Sequence, residues 1–143
     1  MPIRPEHRHF YPIDWPQLSA AIRFGRAEGR CETCRRPHGR VVVCLDDGTW
    51  FDDDASAWRS GEGRALRRAP ALAVLAGARL TLPILATCHR DHDTSLNGSR
   101  DLAAWCQRCH ILHDRPEHLR RRRLTYLRRR ALGDLFLGPY PIL

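Results

Sequence analysis

Two Cys-x-x-Cys pairs, Cys31/Cys34 and Cys106/Cys109, stand 71 residues apart, with residues 35 to 105 between them, and they constrain the fold more than any other feature. A two-residue gap lets both sulfurs of a pair face one tetrahedral ion from a single turn, and two such turns complete a closed four-sulfur site. A structural zinc ion is therefore expected on Cys31, Cys34, Cys106 and Cys109, tying an N-terminal knuckle to a distant C-terminal segment and coupling metal binding to folding. Redox dithiols and disulfides are the competing readings of the same residues. The first dozen residues, Met1 to Pro12, carry Arg4, Glu6, His7, Arg8 and His9 without an apolar stretch, so no secretory signal is expected. A cytoplasmic, reducing location follows, and it favours metal ligation over disulfides. Cys44 and Cys88 lack a partner at ligand spacing and read as small buried apolar residues.

A chain of 143 residues is the size of one domain with a modest core, and a single domain over 1–143 is expected. Its formal net charge is +8, with a sequence pI near 9.9. No lysine occurs, so every basic residue is an arginine. A guanidinium presents a planar fork that matches two phosphate oxygens, which suits a polyanionic partner, although a codon preference explains the missing lysine equally well. The most apolar stretch, Ala69 to Thr87, is interrupted by Pro70, Arg79 and Pro83 and falls short of the ~20 residues a membrane span needs. No membrane association is expected.

The pattern of elements is α+β. Trp15, Leu18, Ala21, Ile22 and Phe24 recur at helical spacing behind Asp14 and Pro16, predicting an N-terminal helix within 12–30. The knuckle and a β-hairpin occupy 31–54, with Val41 to Leu45 and Thr49 to Phe51 flanking the turn Asp46-Asp47-Gly48. Asp52 to Pro70 reads as a surface loop with at most a short helix. Leu80 to Thr87 reads as a strand leading into Cys88-His-Arg-Asp-His-Asp93, and helices are expected from Leu102 to Asp114 and from Pro116 to about Leu132. Leu119, Leu124, Leu127, Ala131 and Leu135 supply the second helix with an apolar stripe, and Gly138-Pro139 marks its stop.

The order Cys-x-x-Cys, a strand ending in His-x-Asp-His, a polar loop, then Leu-x-x-Trp-Cys-x-x-Cys-His-x-x-His resembles the HNH endonuclease family of ββα-metal nucleases. The similarity is to the zinc-bearing branch in which two cysteine pairs bracket the active site. It is tight over Cys88 to Asp114, looser over Cys31 to Cys34, and covers about a quarter of the chain. The resemblance implies a ββα-metal core over 79–114; outside it, the arginine-rich segment 115–137 reads as a basic helix. It also implies that Asp91 and His110 ligate a catalytic divalent ion (Mg2+, Mn2+ or Ni2+) and that His92 is the general base. Hard cations accept carboxylate and imidazole donors, and a histidine titrates near neutrality, so the chemistry is coherent. His89 and His113 are additional candidate ligands of that ion. Asp101 stands where the family has the asparagine that orients the base; an ionised carboxylate offers no donor, and Asn97 is the nearby substitute.

Arg120, Arg121, Arg122, Arg123, Arg128, Arg129 and Arg130 crowd one helix and cannot share a face. A band of positive charge of this kind attracts a nucleic-acid backbone without reading its sequence; a helix solvated for solubility is the plainer explanation. Arg90 and Arg108 flank the candidate site and are placed to contact phosphates. Together these features predict a metal-dependent DNA endonuclease of low sequence specificity, for which the resemblance implies a phage-like setting and a packaging or processing partner. The alternative is a zinc-stabilised nucleic-acid-binding module that has lost the cutting activity.

Overall fold

The computed structural model describes residues 5–136, with side chains from 8 to 131. The expected stop at Gly138-Pro139 and the side chain of Leu135 lie outside the described residues. The fold is mixed α and β, and the described residues fall into two compact units that divide between His110 and Ile111. Among them, no helix is long and apolar enough to cross a membrane.

In the first unit, a 3-10 turn at Pro5–Phe10 precedes helix α1 (Trp15–Ala20), which continues as a π-helical turn over Ala21–Arg26. After the knuckle come β1 (Val42–Cys44), β2 (Trp50–Asp52) and β3 (Ala57–Arg59). The short helix α2 (Leu72–Leu75) follows, then β4 (Arg79–Thr81). A four-stranded sheet forms in the order β3-β2-β1-β4, with every neighbouring pair antiparallel. The segment expected as loop thus contains β3, because Phe51 meets Trp58 across the strands at 5.4 Å and Asp52 binds Arg59 at 2.6 Å, contacts that composition alone does not reveal.

The expected strand 80–87 is two strands. Pro83, fully buried, has no amide proton to donate to a ladder, so β4 ends before it and β5 (Leu85–His89) starts after it. β5 pairs antiparallel with β6 (Leu102–Cys106), from Leu85 opposite Cys106 to His89 opposite Leu102. β6 replaces the helix expected from Leu102. All five of its residues are buried, and a continuous apolar run of that length looks the same as a strand or a buried helix until its partner is known.

The alternation of the β5–β6 ribbon explains how it is covered. Thr87 with Ala104 and His89 with Leu102 lie on one face, and that face meets the N-terminal helix. Ile22 and Ala27 pack on Leu102 and Ala104, the Ser19 and Thr87 hydroxyls are 2.9 Å apart, and Trp15 stacks on His89. The other face brings Cys88, Ala103 and Trp105 into the cluster formed by the four cysteines of the two pairs.

β6 runs directly into α3 (Gln107–Phe136), a single helix rather than two. Pro116 lies inside it. Proline already holds φ near the helical value, so it removes one hydrogen bond without forcing a stop, and the good helix formers around it carry the helix on. In the second unit, Glu117 binds Arg120 and Arg121 at 2.7 Å each, which pulls its carboxyl down to about 2. The side chains of Leu119, Leu124 and Leu127, expected to form a covered stripe, are exposed.

Gly63 illustrates how tightly the knuckle is packed. Its φ is +87°, and a Cβ there would lie 2.8 Å from the Cys34 carbonyl oxygen, whereas Gly39, with φ +67°, has open space around it. Gly63→Ala is therefore expected to cost about 2–3 kcal/mol and Gly39→Ala about 1 kcal/mol, measured by chemical denaturation. Equal losses would show that backbone strain alone is at work.

Candidate functional site

The four sulfurs of Cys31, Cys34, Cys106 and Cys109 lie within 4.8 Å of one another, and all four residues are buried. None is in a disulfide, and the Cys34 and Cys106 sulfurs are 3.5 Å apart. Zinc–sulfur bonds of about 2.3 Å in a tetrahedron place sulfurs roughly 3.8 Å apart, so the cluster fits that ion. Local geometry prepares it: Cys31 N donates to Arg36 O at 2.9 Å, Arg35 N to Cys31 O at 2.8 Å, and Cys106 N to the Cys31 sulfur at 3.4 Å. Hydrogen bonds from neighbouring thiols, Cys106 first, lower the pKa of Cys31, and those led by Cys109 bring Cys106 to about 6. The same contacts push Cys34 and Cys109 up. Each thiolate in so tight a cluster makes the next harder to form, and a divalent ion at its centre removes that limit.

Glu32, inside the knuckle, is a hub that no motif or spacing marks. Its backbone N donates to Ala104 O at 2.9 Å, and its carboxylate accepts from Ala104 N at 3.1 Å, so one residue pairs with the open edge of β6. The same carboxylate receives Arg26 Nε at 2.7 Å and Arg90 Nη2 at 3.3 Å, while Arg26 also donates to Leu102 O at 2.8 Å. Glu32→Ala leaves the buried Ala104 N without its acceptor and takes one acceptor each from Arg26 and Arg90. A loss of about 2–3 kcal/mol in denaturant titration is expected, with the metal content kept at one per chain; a change below about 0.5 kcal/mol would remove Glu32 as a fastener.

β5 ends at His89, so Asp91 and His92 sit on a turn and the alternation of a strand does not govern them. Arg90 N donates to Asp101 O at 2.8 Å and closes the mouth of the β5–β6 loop. Asp91 is exposed. His92 is half-buried with φ +59°, a left-handed conformation that side-chain-bearing residues rarely take. Among the described residues of the first unit, the four sulfurs are the one group of three or more metal-ligating atoms this close together, and Asp91 and His110 join no such group.

His89 is held firmly. Its ring stacks on Trp15 at 5.7 Å, meets Tyr11 edge-on at 5.6 Å, and its Nε2 lies 3.1 Å from Asn97 Oδ1. Asn97 Nδ2 in turn donates to Phe10 O at 2.8 Å. Asp101 does what an acceptor can do: its carboxylate takes Gly98 N at 3.1 Å, and its own N donates to Gly98 O at 3.0 Å. Asp101 thus closes the loop and Asn97 holds the His89 ring.

His110 lies in the first turn of α3, half-buried, with its ring 6.5 Å from Trp105. His113 belongs to the second unit. Arg90 lies over the Trp105 ring at 5.8 Å as well as reaching Glu32, and Arg108 Nη1 donates to Gly61 O at 3.2 Å. In the second unit the arginines at 120–123 and 128–130 are all exposed, and Arg130 Nη1 donates to the Tyr126 hydroxyl at 3.2 Å.

No family model matches the sequence, no curated protein resembles it, and no solved structure matches the fold.

Proposed function

We propose that this chain is an HNH-type endonuclease that hydrolyses phosphodiester bonds in DNA with one catalytic divalent ion. The observation that carries the reading is the continuous path β5, loop, β6, α3: it puts Asp91 and His92 at the mouth of a hairpin and His110 in the helix that the hairpin feeds. The four-cysteine centre fastens that helix start to the knuckle at Cys31 and Cys34, and zinc is the ion whose bond lengths and ligand preference suit it.

His92 is the general base in this scheme, taking a proton from a water that attacks the scissile phosphorus. Asp91 and His110 are the ligands for Mg2+, Mn2+ or Ni2+, which supplies charge neutralisation at the phosphate, and His113 and His89 are further donors on the same chain. Asn97 already engages one nitrogen of His89, which favours a positioning role for that ring. The left-handed backbone at His92 supports a functional assignment, because such strain persists only where surroundings enforce it. The exposed arginines of α3, Arg120 to Arg123 and Arg128 to Arg130, together with Arg90 and Arg108, supply backbone contacts to DNA without base reading. By the same resemblance, phage DNA processing or packaging is the setting we propose.

Supercoiled plasmid incubated with the zinc-loaded protein and each metal decides the matter. Metal-dependent conversion to open circles, lost on substitution of Asp91 by Asn, supports the enzyme. Salt-sensitive plasmid binding with no conversion under any metal favours the second reading, a zinc-stabilised nucleic-acid-binding module, for which the carboxylate of Asp101 in place of an amide is the specific support.

A further inference from the structure

A cleft of about 450 Å3 opens in the first unit between the β1–β2 turn, the edge strand β4 and the first turn of α3. It includes neither Asp91, His92 nor His110. Three guanidinium groups from three separate elements converge on it: Arg36 from the knuckle, Arg79 from β4 and Arg108 from α3. Asp46 is the single carboxylate on its walls and pairs with Arg79, so the lining carries more positive than negative charge.

Arg36 is the unusual member. It is only 3 % exposed, lies over the Trp50 ring at 5.6 Å, and donates through Nη2 to Gly48 O at 2.7 Å. Its Nη1 is buried without a nitrogen or oxygen acceptor, and the sulfurs of Cys34 and Cys44 lie beside the guanidinium. Arg36 thus brings a fixed positive charge to the wall of the cleft. Arg108 is fixed by Gly61 O and by the slot at Gly48, and Arg79, whose side chain is 72 % exposed, can exchange its surface pair with Asp46 for another anion at little cost. Leu45 and Pro83 give the cleft an apolar wall.

We infer that this cleft is a phosphate-binding site, taking a phosphate group between Arg36, Arg79 and Arg108 in a space large enough for one nucleotide. The phosphate comes either from a free mononucleotide or from a nucleic-acid backbone, and the chemistry of recognition is the same. The site stands apart from the proposed catalytic residues, so it neither depends on the nuclease reading nor fails with it.

Isothermal titration of the zinc-loaded full chain at matched ionic strength tests this with three probes: inorganic phosphate, thymidine 5′-monophosphate and a short single-stranded DNA. The variants are Arg79→Ala, Thr81→Asp and Arg36→Lys. The first two change exposed positions of an edge strand, and zinc content with thermal melting verifies that each variant is folded. Saturable binding that weakens at least tenfold in Arg79→Ala and Thr81→Asp is expected, and Arg36→Lys, which keeps the charge and loses the fork, weakens it similarly. Weakening for phosphate and the mononucleotide assigns the site to a free ligand; weakening for the oligonucleotide alone assigns it to a backbone phosphate. Binding of all three probes that is absent, or unchanged in folded Arg79→Ala and Thr81→Asp, overturns the inference.

Discussion

Cys106→Ser is expected to strip the chain of its metal and with it the cooperative unfolding of the first unit. Cys106 is 1 % exposed, ends β6, packs with the other three cysteines, and its N donates to the Cys31 sulfur. Structural zinc sites contribute on the order of 10–16 kcal/mol of apparent binding free energy in small peptides, whereas whole domains are stable by about 5–15 kcal/mol. Losing even part of the first quantity exceeds most of the second. Elemental analysis should give one zinc per chain for the wild type and none for the variant, and the variant's thermal melt should lose its sigmoidal shape near neutral pH. Chelation of the wild type by EDTA should reproduce the same change and added zinc should reverse it. A variant that keeps metal and melts at the wild-type temperature would show that the four sulfurs are an apolar cluster and nothing more.

His92→Asn is the substitution that separates chemistry from architecture at the hairpin mouth. Asparagine is among the residues that best tolerate a left-handed backbone, so the φ of +59° at this position is kept at little cost. It cannot accept a proton near neutral pH. On the nuclease reading, plasmid nicking should fall about 10²- to 10⁴-fold, with zinc content, melting temperature and DNA affinity unchanged. His92→Gly should be equally slow, because it too lacks a proton acceptor. Nicking that survives in His92→Asn would move the base to another group and remove the reason for placing His92 at the centre of the mechanism.

How much of this was legible beforehand depended on whether a feature is local. The cysteine spacing is local on each side, and the four sulfurs do meet. The strand before His89 carries its own β-favouring run, and Asp46-Asp47-Gly48 carries its own turn. β6 was hidden because Leu102-Ala-Ala-Trp-Cys106 is buried on both faces, one against the N-terminal helix and one against the cysteines, so no periodicity survives to mark a strand. Pro116 misled in the opposite direction, since a proline that interrupts a pattern need not interrupt a helix. The fastening by Glu32 and Arg26, and the contact of Asn97 with His89, are long-range pairings between short polar segments and leave no trace in spacing.

Cys31 and Cys34 emerge from the ribosome long before Cys106 and Cys109 are made, and until then the knuckle has half of its ligands and no β6 edge to grip. The centre is completed only once the 71 residues between the two pairs have been added. On the zinc reading, metal loading is a late checkpoint: a nascent chain halted before Cys106 should exchange the ion freely and stay open to proteolysis, while one carrying all four cysteines holds it.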